Sequence, residues 1–165
     1  MNSDHELKHD SELTKFSEML KLNSAHFFEK HAQPVFMFDI QGKFIFFNQA
    51  AHKFLGYSSE QVVGSHFRML LTLDDLSDGF LFLYQTLNGC YTEHSLFRLR
   101  KKDGSTCVAG ITAGPIYYQG KIRAALAIAH NSSGRNSKIP QDSERVKIFK
   151  KFSEDLNRWA ESNRS

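Results

Sequence analysis

The stretch Phe97–Ser105, F-R-L-R-K-K-D-G-S, carries a β-rich run into a tight turn and sets the frame for the residues on either side. Its Asp103–Gly104 pair is the chemistry of a hairpin turn, because both residues tolerate the backbone angles such a turn needs. Tyr91 to Arg100 leads into that turn and Thr106 to Tyr118 leads out of it. Gln119–Gly120 is a second hairpin signal, and Lys121 to His130 follows as a third β-like run. Three consecutive strands joined by short turns are expected to pair antiparallel.

Working back from Tyr91, Asn88–Gly89 ends a helix that Leu73–Asp74–Asp75–Leu76 opens, with acids in its first turn where the helix dipole favours them. Ser58 with Gln61 three residues on forms a capping box for a short helix stopping at Gly64. Asn48 caps another, Gln49 to Leu55, ended by Gly56. Before these, Val35–Phe38 and Lys43–Phe47 flank the turn residues Asp39–Gly42 and read as a hairpin. The order is helix, two strands, short helices, three strands, helix, which makes an α+β fold with a five-stranded antiparallel sheet.

Six strings in this order resemble the PAS family. They are Asp39–Ile40–Gln41–Gly42–Lys43, Phe46–Ala51 (F-F-N-Q-A-A), Leu55–Gly56–Tyr57–Ser58, Glu60–Gly64, Phe97–Ser105 and Gly114–Pro115–Ile116. The resemblance covers about Phe28 to Asn131. It implies a PAS fold, with short helices on one face of the sheet, used as a sensory and dimerisation module in signal transduction. The domain bounds expected are a helical extension over 1–27, the PAS domain over 28–131, a linker over 132–142 and a C-terminal helix over 143–165.

Departures from the family pattern narrow the chemistry. In the light-sensing flavin subgroup, G-x-N-C-R holds a photoreactive Cys; here Gly64–Ser65–His66–Phe67–Arg68 puts Phe67 at that place, and a phenyl ring forms no thioether adduct. No Cys stands in Phe67–Leu87 for a chromophore linkage, and no His stands in Leu73–Leu87 for an axial haem ligand. His66 is the one haem-ligand candidate, giving an alternative reading as a haem-binding gas or redox sensor. The family's closing D-I-T is Asn131–Ser132–Ser133 here, which removes a charged contact at the exit of the last strand.

In the family register, Phe36 and Phe38 face into the cup of the sheet, with Phe97, Leu99, Cys107, Ala109, Ile111, Ala113, Ala125, Ala127 and Ala129. Two neighbouring strands then present small side chains, and interiors pack near crystal density, so large groups must meet them. Either the rings of Phe36, Phe38, Phe54, Phe67, Phe80 and Tyr84 fill the space, or a small apolar ligand occupies part of it. The inward set holds no Arg, Lys, Asn or Gln, which argues against a dicarboxylate or a flavin ring.

Outside the family segment, Leu13, Phe16, Leu20, Asn23 and Phe27 fall at spacings of three and four, one face of a helix beginning at Ser11. Residues 1–10 read as frayed. Phe149, Phe152, Leu156 and Trp159 repeat the pattern over Ser143–Ala160. These stripes either fold onto the chain's own sheet or pair with a second copy, giving a homodimer or a contact with a signalling partner, with Asn23 setting register.

The bulk composition supports this class. Hydrophobic residues are 41% and charged residues 24%, with 15 Phe against 1 Trp. A net charge of +3 without a Lys/Arg block gives no expectation of nucleic-acid binding. No apolar run reaches the roughly 18 residues of a membrane span, and the polar start is unlike a signal peptide, so a cytoplasmic location is expected. Cys90 and Cys107 are too few for a disulfide framework. No nucleophile elbow, P-loop or metal motif occurs, and Asp74–Asp75 reads as a helix cap, so no enzyme is expected.

Overall fold

The computed structural model describes residues 3–131 and 142–162, with side chains placed at 15–92, 95–130 and 147–162. Helix α1 (Ser3–Phe28) leads into strands β1 (Val35–Asp39) and β2 (Phe44–Phe47). Helices α2 (Gln49–Leu55) and α3 (Ser59–Val62), 3-10 turns at Phe67–Leu70 and Leu73–Asp75, and helix α4 (Leu76–Leu87) follow. Strands β3 (Thr92–Arg100), β4 (Thr106–Tyr118) and β5 (Lys121–Asn131) complete the sheet before helix α5 (Asp142–Ser162). The sheet order is β2-β1-β5-β4-β3, antiparallel throughout. This is the expected α+β architecture. The linker expected over 132–142 lies outside the described residues up to 141, as do Ser132 and Ser133, and the side chains of Leu13 and Asn131 are not described.

Local chemistry fixes the turns. Asp39 Oδ1 accepts from the amides of Gln41 and Lys43, both at 2.9 Å, which locks the β1–β2 turn around Gly42 at φ +85°. Gly56 ends α2 in the left-handed conformation, and Ser58 and Gln61 form the full capping box of α3. At the β4–β5 turn Gln119 and Gly120 both have positive φ, the signature of a type I′ hairpin.

Asn48 joins four segments. Its Oδ1 accepts from Val35 N and Ala51 N, each at 2.9 Å, starting β1 and capping α2. Its Nδ2 donates to Phe28 O at 2.8 Å and Gln33 O at 3.0 Å, fixing the end of α1 and the crossing into the sheet. The residue is buried, so none of these bonds has water as a substitute.

Both faces of the sheet are covered. α2, α3, the 3-10 turns and α4 close the concave face; α1 and α5 lie on the convex face. Of the two outcomes open to the terminal stripes, the structure takes the first. Phe16, Leu20, Phe149, Phe152 and Leu156 are buried against Met37, Ile116, Leu126 and Ile128 of their own chain. Phe27 and Trp159 stay partly exposed. Asn23 donates to Met19 O at 2.8 Å within its own helix.

Three expectations are corrected. α1 begins at Ser3, so residues 3–10 are helical and not frayed. Leu73 opens a 3-10 turn, and the α-helix starts only at Leu76. Asp75 occupies the cap position without making the cap bond; its carboxylate instead accepts from Arg98 N of β3 at 2.7 Å.

Replacing Asn48 with Ala is expected to lower unfolding free energy by about 2–4 kcal/mol, the loss of a cap plus stranded buried partners. Asn48→Asp keeps both acceptor roles but turns an oxygen toward Phe28 O and Gln33 O. Urea unfolding should find it well below the parent, and parental stability for Asn48→Asp would show that the donor half contributes nothing.

Candidate functional site

The cup of the sheet holds an apolar cavity of about 50 Å³. Phe36, Phe38 and Phe44 line it from the first hairpin, and Phe97, Leu99, Ile111, Ala113, Ala125 and Ala127 from β3, β4 and β5. Phe67, Leu70, Leu71, Gly79, Phe82, Leu83 and Thr86 close it from the helical side. Thr86 is the one polar residue in this wall, and its hydroxyl donates to Phe82 O at 2.9 Å, so it offers the cavity little.

Alternation along the strands puts the expected residues on the concave side. Phe36, Phe38, Phe97, Ala109, Ile111, Ala127 and Ala129 belong to the inner core, although Ala109 and Ala129 are buried beside the cavity without lining it. Phe54 packs against this core as a partly buried ring, also away from the cavity. Phe67 lines the cavity itself.

Phe80 and Tyr84 do not. They lie on the outer face of α4, 47% and 66% exposed, while Gly79, Phe82, Leu83 and Thr86 point in. The apolar residues of α4 extend around most of its circumference, so the phase of the helix is not set by apolarity alone. Gly79 is part of that inward face: a Cβ there would press on the Leu71 side chain, so its bare backbone lets α4 pack closely on the wall.

Phenyl rings account for the small volume. Phe38 meets Phe44 at 4.8 Å and Phe67 at 6.1 Å between centroids, and Phe82 meets Phe97 at 5.2 Å. Ligand pockets usually run to about 300–1,000 Å³. The cup is therefore filled mainly by its own rings.

His66 stands at the rim and not in the wall. Its Nδ1 accepts from Arg68 N at 3.2 Å, capping the 3-10 turn that carries Phe67, and its ring stacks on Phe67 and Phe80 at 4.5 and 5.6 Å. The imidazole also donates to the Gln41 backbone carbonyl. Haem does not fit: the candidate ligand is committed elsewhere, and the cavity is far smaller than a porphyrin. Phe67 in the wall offers no thiol for a flavin adduct. Cys107 packs at the edge of the inner core, where burial pushes its thiol pKa up and keeps it protonated. Of the remaining histidines, His26 and His52 are exposed, His31 is half-buried and accepts from Gln33 N, and the side chains of His5 and His9 are not described.

Desolvation, then the Arg68 charge, holds the His66 pKa below the ordinary histidine value. The unfolded chain then binds more protons than the folded one near pH 6, so this contribution to stability is complete above the usual histidine range and is lost as pH falls through the lowered value. His66→Asn keeps a capping acceptor and removes the titration. Thermal melts from pH 7.5 to 5.5 should show a smaller fall for the variant than for the parent. Parallel curves would remove His66 from the pH response.

Comparison with known proteins agrees with this geometry. The PAS fold family model matches residues 25–131. The PAS domain of a Colwellia psychrerythraea protein superposes with a TM-score of 0.60 at 23% identity, covering 67% of this chain and 95% of that one. The LOV domain of a blue-light activated histidine kinase from Erythrobacter litoralis gives 0.55 at 21%, covering 62% and 97%. A LOV protein from Rhodobacter sphaeroides gives 0.61 at 11%, covering 92% and 99%. No curated protein matches the chain. No helix among the described residues is long and apolar enough to cross a membrane. The family is generally sensory and non-catalytic, which supports a module of signal transduction, and with the model covering well over half its length this chain belongs to the PAS family.

Proposed function

We propose that the chain is a cytoplasmic, non-catalytic sensory module that reports the state of its cup through its terminal helices. The observation that carries this is β5. Ala125, Ala127 and Ala129 face the cup, Ala124, Leu126 and Ile128 face α1 and α5, and none is more than 1% exposed. A strand that shifts for a guest on one side must shift the helices packed on the other, because interiors packed at this density transmit displacement. α5 is also held to the β4–β5 turn, where Asn157 donates to Tyr117 O at 2.8 Å and accepts from Gln119 N at 3.1 Å.

The guest this cup favours is a small apolar molecule that displaces a ring or fills the residual space. Its walls offer no charge, and the volume admits only a few heavy atoms unless Phe67 or Phe38 moves. A second copy or a signalling partner engages the helices by what they leave exposed, Leu22, Phe27, Ile148 and Trp159, since the inner stripes are already covered.

Two measurements test the reading. Ala127→Val adds volume inside the cup and is expected to speed amide exchange over Phe149–Asn157 and to shift emission of Trp159, the single tryptophan. Gly104→Ala strains a distant turn at φ +89° and serves as the control for lost stability alone. If α5 responds no more to Ala127→Val than to Gly104→Ala at matched stability, the relay is wrong. Sedimentation of the parent should give a dimer that Phe27→Glu with Trp159→Glu dissociates; a monomeric parent at tens of micromolar would remove self-association.

A further inference from the structure

The outer side of α4 uses residues that neither the cup nor the terminal helices employ. Phe80, Leu81 and Tyr84 project there, 47%, 54% and 66% exposed, and Leu73 on the preceding 3-10 turn is 84% exposed. Scattered apolar residues are normal on a surface, but here Phe80, Leu81 and Tyr84 share one side of α4, with Phe80–Tyr84 and Leu81–Tyr84 at helix spacings of four and three. Asp74, on the 3-10 turn, and Asp78, in the first turn of α4, are exposed as well.

Carboxylates border the N-terminal part of this face. No Lys or Arg occurs between Arg68 and Arg98, and Asp74, Asp75 and Asp78 stand at the start of this stretch in a chain of net charge +3. Asp75 is occupied by Arg98 N, which leaves Asp74 and Asp78 as the free carboxylates of the border. An apolar stripe edged by carboxylates complements a helix with an apolar stripe edged by cations. We infer that the outer face of α4 is a docking surface for a basic amphipathic helix of a partner protein. It is distinct from the exposed faces of α1 and α5 and does not depend on the relay through them. It also touches the cup from outside, because Phe80 meets Phe67 edge-on at 5.1 Å between centroids and Phe67 lines the cavity.

The test uses the full chain and two synthetic 18-residue helical peptides with the same leucine face, one flanked by Lys and one by Glu. The Lys peptide is expected to bind at least tenfold more tightly at low salt, with amide shifts concentrated on 73–85, and to weaken as salt screens the border. Asp74→Lys with Asp78→Lys alters only exposed side chains and should invert the preference. Shifts centred on α5, equal binding of both peptides, or a preference unchanged by the charge reversal would each overturn the inference. So would shifts over 73–85 that appear with protein concentration in the absence of peptide, which would make a second copy the occupant. Shift mapping on the parent decides the matter even if the double variant folds poorly.

Discussion

Two-sided burial of the sheet is the constraint from which the rest follows. An antiparallel sheet commonly keeps one face wet and reads as apolar alternating with polar. Here the run Ala124–Ala129 of β5 has no wet face and alternates by size instead: small toward the cup, mostly large toward the helices. Small residues inside require rings to meet them, which the helical side and the first hairpin supply. Large residues outside require apolar cover, which α1 and α5 supply. The abundance of Phe and the apolar stripes at the two ends of the chain are thus consequences of one strand.

That constraint explains what the sequence discloses. Chemistry that acts within a few residues is legible: Asn48 and Ser58 as caps, Gly56 as a helix end, Asp103–Gly104 and Gln119–Gly120 as turns. The inward register of the strands is legible too, because alternation of size is a period-2 signal even without polarity. Long-range choices are not. A helical stripe such as Phe16–Leu20 or Phe149–Leu156 has the same spacing whether its partner is the chain's own sheet or a second copy. Nor does the sequence mark Asp75 as a strand ligand, since an acid at a helix start has a sufficient local explanation.

The misassigned rings of α4 show the same limit. Phe80 and Tyr84 are large, apolar and four apart, and nothing local distinguishes them from Phe82 and Leu83. One of the inward residues, Gly79, carries no side chain to be counted; its role appears only in the close packing of Leu71 against its backbone. Phe44, Leu70, Leu71, Phe82 and Leu83 also go unread in the sequence, since pattern alone does not aim these apolar residues at the cavity, and so do Gly79 and Thr86, one too small and one too polar for an apolar pattern to include.

His66 illustrates how position changes the meaning of a residue type. A histidine bordering a cup invites reading as a metal ligand, yet its ring here spans the first turn, the Phe67–Leu70 turn and α4, with one nitrogen used as a cap. In that role its value lies in being neutral, because a protonated Nδ1 would face the Arg68 amide donor to donor. A ligand role would require the same nitrogen lone pairs to turn inward, releasing the very turn that holds Phe67 against the cavity. The two roles exclude one another, and the ring-filled cup leaves only the structural one a place.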